Sequence, residues 1–547
     1  METLRYDIQA RDFSGAGAAS RALKQHLKRI GAESDAVRRA MIAAYEAEMN
    51  VVIHAEGGVL EATVGEHQVD VDVRDGGPGI PDVTAAMREG FSTASAEARA
   101  LGFGAGLGLP NIKRNSDRLR VTSEVGRGTT VSFTVLLRPD RGARGERTTS
   151  LDSRPDLCRD CRRCVTACPT GAVRVRDARP EVLRHLCVDC AACIAACSPG
   201  ALGVAGTAAA PSLCGTTVVV PPGLLVDYHP FGGADDVLAA LRELGAADVV
   251  VTHGYDAALR AAVVARAASG DAQRPVVSPV CPAVVALVEL RFPALLPYLA
   301  PFASPLEAAQ LDLAEREAVF VAACPSQRSA LLAQRPTEQR VVTTPERLRT
   351  AVAPLVAARH EAPAAAGDAV TGEGDKGRTR RATGGEVPAA RSAAADGVLV
   401  VTGAAHVIDV LEQLETGLLG DVPAVEPYLC DGGCLGSPLF AGDPHVAAWR
   451  WAAAGLPAAG RALERPRPFQ PRPGIRLDPD MATAIHMLAQ LERVTASLPG
   501  KDCAACGAPT CAAFAEDVVT GRAARDLCPY VGPTHESGTP PDEGSTR

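Results

Sequence analysis

Two stretches alternate between apolar and polar residues: Gln68–Arg74 (QVDVDVR) and, through its middle, residues 129–137 (TTVSFTVLL). Alternation of period two predicts strands with one buried face. Upstream, residues 21–55 place apolar side chains at helical spacing and predict helices. From 216 to about 360 the pattern changes. Apolar runs such as VVVPPGLLV and VVVTHG read as strands and alternate with helical stretches such as DDVLAALRELG, which predicts an α/β domain. Residues 361–397 are rich in Ala, Gly, Glu and Arg without periodicity and are expected to be a disordered insertion. The α/β pattern resumes at Val398 (VLVVTGAAHVIDVLEQLE), and a last helix, PDMATAIHMLAQLERV, precedes the final cysteine group.

These shifts divide the chain into 1–140, a charged linker 141–155, a cysteine-rich segment 156–210, an α/β segment 216–460, a Pro/Arg-rich linker 461–478, a second cysteine module 479–531 and a polar tail 532–547 expected to be disordered. The expected fold class is multidomain α/β.

The length, 547 residues, fits roughly three to four domains at about 150 residues each. A formal charge of −8 disfavours a general binder of nucleic acid or anionic membrane, and the short basic patch Arg378–Arg381 does not change this. The first residues lack the apolar run of a signal peptide, and no apolar stretch is long enough to span a bilayer, so the expected location is the cytoplasm. In that reducing compartment metal ligation explains the 17 cysteines better than disulfides do. They fall into four sets of four with Cys214 left over, and Cys214 is expected to be a packed small apolar residue.

Three motifs in order point to nucleotide chemistry: Glu46-Ala-Glu-Met-Asn50 on a predicted helix; Asp75-Gly-Gly77-Pro-Gly79; and Gly102-Phe-Gly104-Ala-Gly106-Leu-Gly108, followed by a helix and then Gly126-Arg-Gly-Thr129. An Asn amide oxygen suits Mg2+, which prefers oxygen ligands. A Glu one turn earlier lies on the same helix face and can orient or deprotonate an attacking hydroxyl. Asp75 can accept a hydrogen bond from the exocyclic amine of adenine. Glycines let backbone approach phosphates, whose charge a following helix start favours. The segment resembles the GHKL ATPases, with their Bergerat α/β sandwich, and within them the serine kinases and anti-sigma factors; EAEMNVVIHAEGG and GLGLPNIKR carry the likeness. The resemblance implies Asn50 as magnesium ligand, Glu46 as catalytic base, Asp75 as adenine contact, and Gly77, Gly79, Gly102, Gly104, Gly106, Gly108 and Thr129 around bound ATP. Phosphate transfer and partner binding alone both remain open.

Cys158-x2-Cys161-x2-Cys164-x3-Cys168-Pro169 and Cys187-x2-Cys190-x2-Cys193-x3-Cys197 match the run of a two-cluster bacterial ferredoxin. The spacing assigns Cys158, Cys161, Cys164 and Cys197 to one [4Fe–4S] cluster, and Cys187, Cys190, Cys193 and Cys168 to the other. In the second run Ser198 stands before Pro199, a displacement expected to shift a backbone hydrogen bond without changing the ligand count. Zinc is the alternative occupant, though zinc sites usually pair two CxxC units.

Three further segments, Ser278-Pro-Val280-Cys281-Pro282, Ala323-Cys324-Pro-Ser-Gln327 and Tyr428-Leu-Cys430-Asp-Gly-Gly-Cys434, with FPALLPYL after the first, resemble the catalytic domain of [FeFe]-hydrogenases. The resemblance implies a hydrogenase-like α/β domain whose Cys281, Cys324, Cys430 and Cys434 hold a cubane, with Cys434 bridging to a di-iron subcluster. Three departures stand out: Val280 replaces the family's proton-transfer Cys, Gln327 a Lys, and Tyr428 a Met. The helical stretch 260–270 offers no acidic residue to continue a proton path. The cubane site is expected to be intact and the di-iron pocket altered; buried apolar cysteines are the alternative.

Cys503-x2-Cys506-x4-Cys511-x16-Cys528-Pro529 resembles the small [4Fe–4S] domain of corrinoid iron–sulfur proteins, with a zinc or disulfide alternative. Up to four [4Fe–4S] clusters, ATP and Mg2+ are therefore expected. One expectation for function is a redox or hydrogen sensor coupled to a Ser/Thr kinase or anti-sigma module, with a phosphoacceptor or sigma-factor-antagonist partner and a redox partner. A hydrogenase-type oxidoreductase and an ATP-dependent electron carrier are the alternatives.

Overall fold

A computed structural model of the chain describes residues 2–12, 16–88, 108–137, 149–205, 210–228, 231–269, 272–333, 340–361, 397–456, 458–472, 477–478 and 480–531. The expectations placed on Gly102, Gly104 and Gly106, on residues 362–396 of the insertion and on the tail from 532 lie outside the described residues. The chain divides into two compact units, one drawn from 1–141, 159–181 and 475–547, the other from 142–158 and 182–474.

In the first unit, strands β1 (Glu2–Gln9), β2 (Gly57–Val64), β3 (Gln68–Asp75), β4 (Arg118–Glu124) and β5 (Gly128–Leu136) form one antiparallel sheet in the order β1-β2-β3-β5-β4. The alternation read from the sequence decides its faces. Val69, Val71 and Val73 are buried, and Asp70 and Asp72 face the other way, where they accept hydrogen bonds from Thr134 and Ser132 of β5. Helices α1 (Ala18–Arg29), α2 (Ser34–His54) and α3 (Gly108–Arg114) contribute to the core over the apolar face. The Ala-rich α2 buries Ala36, Ala40, Ala43, Ala44, Ala47 and Val51, small side chains that favour helix and permit close packing. The same hydrophobic core continues without a break into the C-terminal module, through Met481, Ile485 and Leu488 of helix Met481–Ala496 and Phe514 of helix Cys511–Val519.

In the second unit, strands Asp248–Val251, Thr217–Val220, Ala318–Val321 and Arg340–Thr343 lie side by side in that order, all parallel. Val276–Val277, Ala424–Tyr428 and Val398–Thr402 form a second parallel sheet. TVVV and AVFV are buried along their whole length, as strands covered on both faces are. Two expected strands end early. In VVVPPGLLV the strand stops at Val220, because Pro222 starts the helix Pro222–Val226. In VVVTHG the helix His253–Ala268 begins at the His. Cys214 is exposed in the turn before strand Thr217–Val220, not packed as expected. Among the described residues, no helix is long and apolar enough to cross a membrane.

Candidate functional site

The nucleotide motifs converge around α2. Glu46 and Asn50 are one turn apart, and the start of α3 lies directly against them: a Cβ on Gly108 would sit 3.0 Å from Asn50 Oδ1 and 3.5 Å from Glu46 Oε2. A methyl there would be in ordinary contact with Glu46 but would press on Asn50 Oδ1. Asn111, one turn along α3, donates from its side-chain amide to Glu46 Oε1 at 2.7 Å. Burial raises the Glu46 carboxyl above its usual value, and the Asn111 bond opposes part of that rise. A carboxylate so poised suits general-base work. Sequence reasoning missed Asn111, although the stretch GLGLPNIKR contains it.

Asp75 ends β3. Its Oδ1 accepts from the backbone N–H of Gly77 at 2.8 Å and of Thr129 at 3.3 Å. Gly79 has a φ of +74°, and a side chain there would strike the Glu124 carbonyl. Close packing of the Asp75 loop on the β4–β5 hairpin thus requires this glycine.

The hydrogenase-like cysteines also come together. Cys281 follows strand Val276–Val277 and caps helix Pro282–Arg291; Cys324 follows strand Ala318–Val321; Cys430 follows strand Ala424–Tyr428, and Cys434 lies in the turn Gly433–Gly436. All three segments leave the carboxyl ends of parallel strands, where open α/β folds place ligands. The four cysteines line one pocket, together with Cys190, Gln327 and Tyr428. Its lining includes no Lys, Arg or His. Burial and then the neighbouring thiols push Cys324 up to about 12 and raise Cys430 well above its ordinary value; burial also raises Cys281. Thiolates in such a place need a cationic centre to balance them. Among the described residues no three His, Cys, Asp or Glu side chains converge on a single-ion point. Four cysteines in one apolar pocket are the donor set that a [4Fe–4S] cubane takes. Val280 is buried, and Gln327 accepts from Ala323 N–H at 2.8 Å while its Nε2 lies 4.0 Å from Cys434 Sγ.

The remaining cluster loops share one backbone device. Asp160 and Arg162 flank Cys161, Asp189 and Ala191 flank Cys190, and Asp502 and Ala504 flank Cys503; all six residues have φ between +45° and +65°. Left-handed residues in such loops turn successive N–H groups toward one concavity, which suits an anionic cluster. Asp tolerates this conformation better than most residues. Its recurrence as Asp-Cys-x-x-Cys in all three loops was a signal legible in the chain and missed there. Each Asp is anchored differently: Asp160 pairs with Arg162 at 2.9 Å, Asp189 accepts from Thr149 and Ser329, and Asp502 accepts from Cys511 N–H at 2.6 Å.

Backbone N–H groups also reach the sulfurs. Ala172 N lies 3.2 Å from Cys168 Sγ, and Ala201 N lies 3.2 Å from Cys197 Sγ. The expected shift from Ser198 before Pro199 is absent, because Gly171 and Gly200 reverse the chain alike, at φ +63° and +71°. In the first unit are Cys161, Cys164 and Cys168 with Cys503, Cys506, Cys511 and Cys528; the second holds Cys158, Cys187, Cys190, Cys193, Cys197 and the four cavity cysteines. Arg162, between Cys161 and Cys164, donates to the carbonyls of Ala504 and Ala505, between Cys503 and Cys506. Burial raises the Cys506 thiol, the Ala508 N–H opposes that rise, and Cys528 stands near enough to add to it. The C-terminal donor set, with its N–H groups and the Arg162 cation, fits an anionic cluster as well.

An ATP-binding fold joined to several iron–sulfur modules is the class this architecture defines, and comparison with known proteins agrees. Family models match for the histidine kinase-, DNA gyrase B- and HSP90-like ATPases over residues 35–139, a 4Fe-4S dicluster domain over 151–198, the C-terminal domain of the iron-only hydrogenase large subunit over 229–324 and an Fe-S cluster domain over 498–530. The serine/threonine-protein kinase RsbT of Bacillus subtilis is 33% identical over 97 residues, 17% of this chain and 67% of that protein. An anti-sigma F factor of Caldanaerobacter subterraneus is 32% identical over 110 residues, 20% of this chain and 69% of that protein. The large subunit of the corrinoid/iron-sulfur protein of Moorella thermoacetica is 56% identical over 34 residues, 6% of this chain and 8% of that protein. A solved structure of the [FeFe]-hydrogenase HydA1 from Chlamydomonas reinhardtii aligns at 16% identity and a TM-score of 0.32, covering 47% of this chain and 87% of that one. Through its N-terminal domain the chain belongs to the GHKL ATPase family that contains these kinase and anti-sigma relatives.

Proposed function

We propose that this protein is a redox-responsive regulator in which iron–sulfur modules set the activity of an ATP-dependent serine/threonine kinase or anti-sigma domain. The observation that carries this reading is the unbroken hydrophobic core shared by the ATP-binding domain and the C-terminal cysteine module. Two modules with one core respond to each other's packing, because close-packed interiors transmit small shifts.

In this reading Glu46 is the base for an attacking Ser or Thr hydroxyl, Asn50 holds Mg2+ and Asp75 receives adenine. The partner is a regulatory protein offering a Ser or Thr acceptor, or a sigma-factor regulator held by binding alone; the kinase and anti-sigma relatives support both forms. Cys281, Cys324, Cys430 and Cys434 would hold a cubane, which supplies one-electron chemistry when bound. The apolar Val280, at the position of the family's proton-transfer Cys, favours an electron signal over rapid hydrogen turnover. The domain division 1–140, 156–210, 216–460 and 479–531 belongs to this proposal.

The test is ATP turnover by the anaerobically purified full chain, measured after oxidation and after dithionite reduction. A redox-dependent rate that disappears in Glu46→Gln supports the reading. Equal rates in both states, with the same nucleotide affinity, would sink it.

A further inference from the structure

The helix Cys511–Val519 begins at a cysteine of the C-terminal module and carries two adjacent acidic residues that point to different partners. Asp517 is fully buried among three arginines, Arg174 at 2.5 Å, Arg176 at 2.6 Å and Arg522 at 3.2 Å. Arg174 and Arg176 belong to the hairpin that follows Cys168, so this carboxylate fixes the helix to the first ferredoxin loop. Glu516 is 4% exposed and pairs with Arg29 at 2.6 Å, the last residue of α1. The backbone carbonyl of Arg29 also accepts from Leu477 N–H, and His26, one turn earlier, meets Glu492 at 3.0 Å.

The other end of α1 is tied to the nucleotide site. Gly17 at its N-cap has no side chain to cap the helix. Glu48 of α2 caps it instead, accepting from Ala19 N–H at 3.2 Å and Ser20 N–H at 3.1 Å, with only 3% of its surface exposed. Free N–H groups and the positive end of a helix dipole both favour a carboxylate there. Glu48 stands between Glu46 and Asn50 in sequence. Two residues along a helix turn the side chain to the opposite face, so α2 offers Glu48 to α1 and Glu46 with Asn50 to the nucleotide.

We infer that α1 is the mechanical link between the C-terminal iron–sulfur loop and the nucleotide site, held by Glu516–Arg29 at one end and by Glu48 at the other. Each connection is a charged contact in a largely buried place, where a shift at one end is not absorbed by solvent. One added electron makes the C-terminal loop more negative by one charge. The loop is gripped by Arg162, by inward-facing N–H groups and by the start of the helix that bears Glu516, all of which respond to that charge. This inference rests on the proposed redox regulation of the ATP domain and names its route.

The experiment measures the Kd of Mg-ATP for the anaerobic full chain, oxidised and dithionite-reduced, in wild type, Arg29→Gln, Glu516→Gln and the charge swap Arg29→Glu with Glu516→Arg. Amide hydrogen exchange of α1 is followed in the same samples. The expected result is a redox-dependent change in Kd on the order of fivefold in wild type, with α1 exchange changing in step. Both single variants collapse the change to within about 1.5-fold, while they bind ATP and keep their C-terminal cluster spectrum; the swap restores it. A full redox-dependent change retained in the single variants overturns the route and leaves the regulation standing. No change in wild type overturns the regulation and the route together.

Discussion

The side-chain amide of Asn111 donates a 2.7 Å hydrogen bond to Glu46, so one helix holds the carboxylate that the other presents. Asn111 thereby does two things. It fixes the Glu46 carboxyl on α2, and it favours the ionised form that the proposed base would need.

Replacing Glu46 by Gln is expected to lower phosphotransfer by at least about a hundredfold, the usual scale of general-base loss, with ATP binding kept. Burial raises the Glu46 pKa in the folded state. The wild-type rate therefore climbs with pH above the ordinary carboxylate range. Asn111→Ala moves that limb further up, because it removes the bond that opposes the rise. The stability consequence has the opposite sign to that of a salt-bridged acid. The folded chain binds the extra proton, so wild type loses stability as pH rises from the unfolded Glu value through the higher folded one. Glu46→Gln escapes that loss and melts no lower than wild type at pH 7. pH–rate profiles and melting curves at pH 4 and 7 check both statements.

Gly108→Ala tests the approach of α3 to the nucleotide site. The new methyl would stand 3.0 Å from Asn50 Oδ1, so that side-chain amide must give by a few tenths of an ångström. Overpacking of this kind costs about 1–3 kcal/mol. The expected outcome is weaker Mg-ATP binding, by about tenfold, read by isothermal titration.

Asp517→Asn should destabilise the first unit by about 3 kcal/mol or more, because it leaves the buried Arg174 without its charge partner. Burial alone would raise the Asp517 pKa, but Arg174 and Arg176 hold it below the usual carboxylate value. Its contribution is thus present above the unfolded Asp pKa and is lost as pH falls through the lower folded value. Denaturant titrations at pH 7 and pH 3 should show the gap between wild type and variant shrinking in acid.

Cys430→Ser removes one donor from the cavity set. Iron analysis of anaerobic protein should fall from about sixteen to about twelve atoms per chain, one cubane of four. The ferredoxin-type signals should persist. An unchanged iron content would mean that the cavity cysteines are only packing residues.

Much of the chemistry was legible in the chain because it is local. Cysteines two or three residues apart announce cluster loops, and Glu46 with Asn50 needs only a helix to share a face. Val280 and Gln327 stood out as departures, and the structure buries both, with Gln327 in the lining of the cysteine pocket. What holds the parts together was not legible. Arg29 and Glu516 are 487 residues apart, and nothing in either neighbourhood marks the pair. Glu48 carries no mark in the sequence, and its partners are N–H groups that only the folding of α1 supplies. The early ends of the strands at Val220 and Val251 were missed for a different reason. An apolar run does not reveal where strand gives way to buried helix, and only Pro222 at the first helical position marked one of the two boundaries.

In the proposed regulator cluster state and nucleotide binding are coupled, and coupling of binding equilibria is reciprocal. The most direct measurement is a potentiometric titration of the anaerobic full chain, followed by electron paramagnetic resonance, with and without saturating Mg-ATP. Mg-ATP is expected to shift the midpoint of the C-terminal cluster, by about 59 mV for each tenfold difference in ATP affinity between the two redox states. Superimposable titrations with and without nucleotide would contradict it.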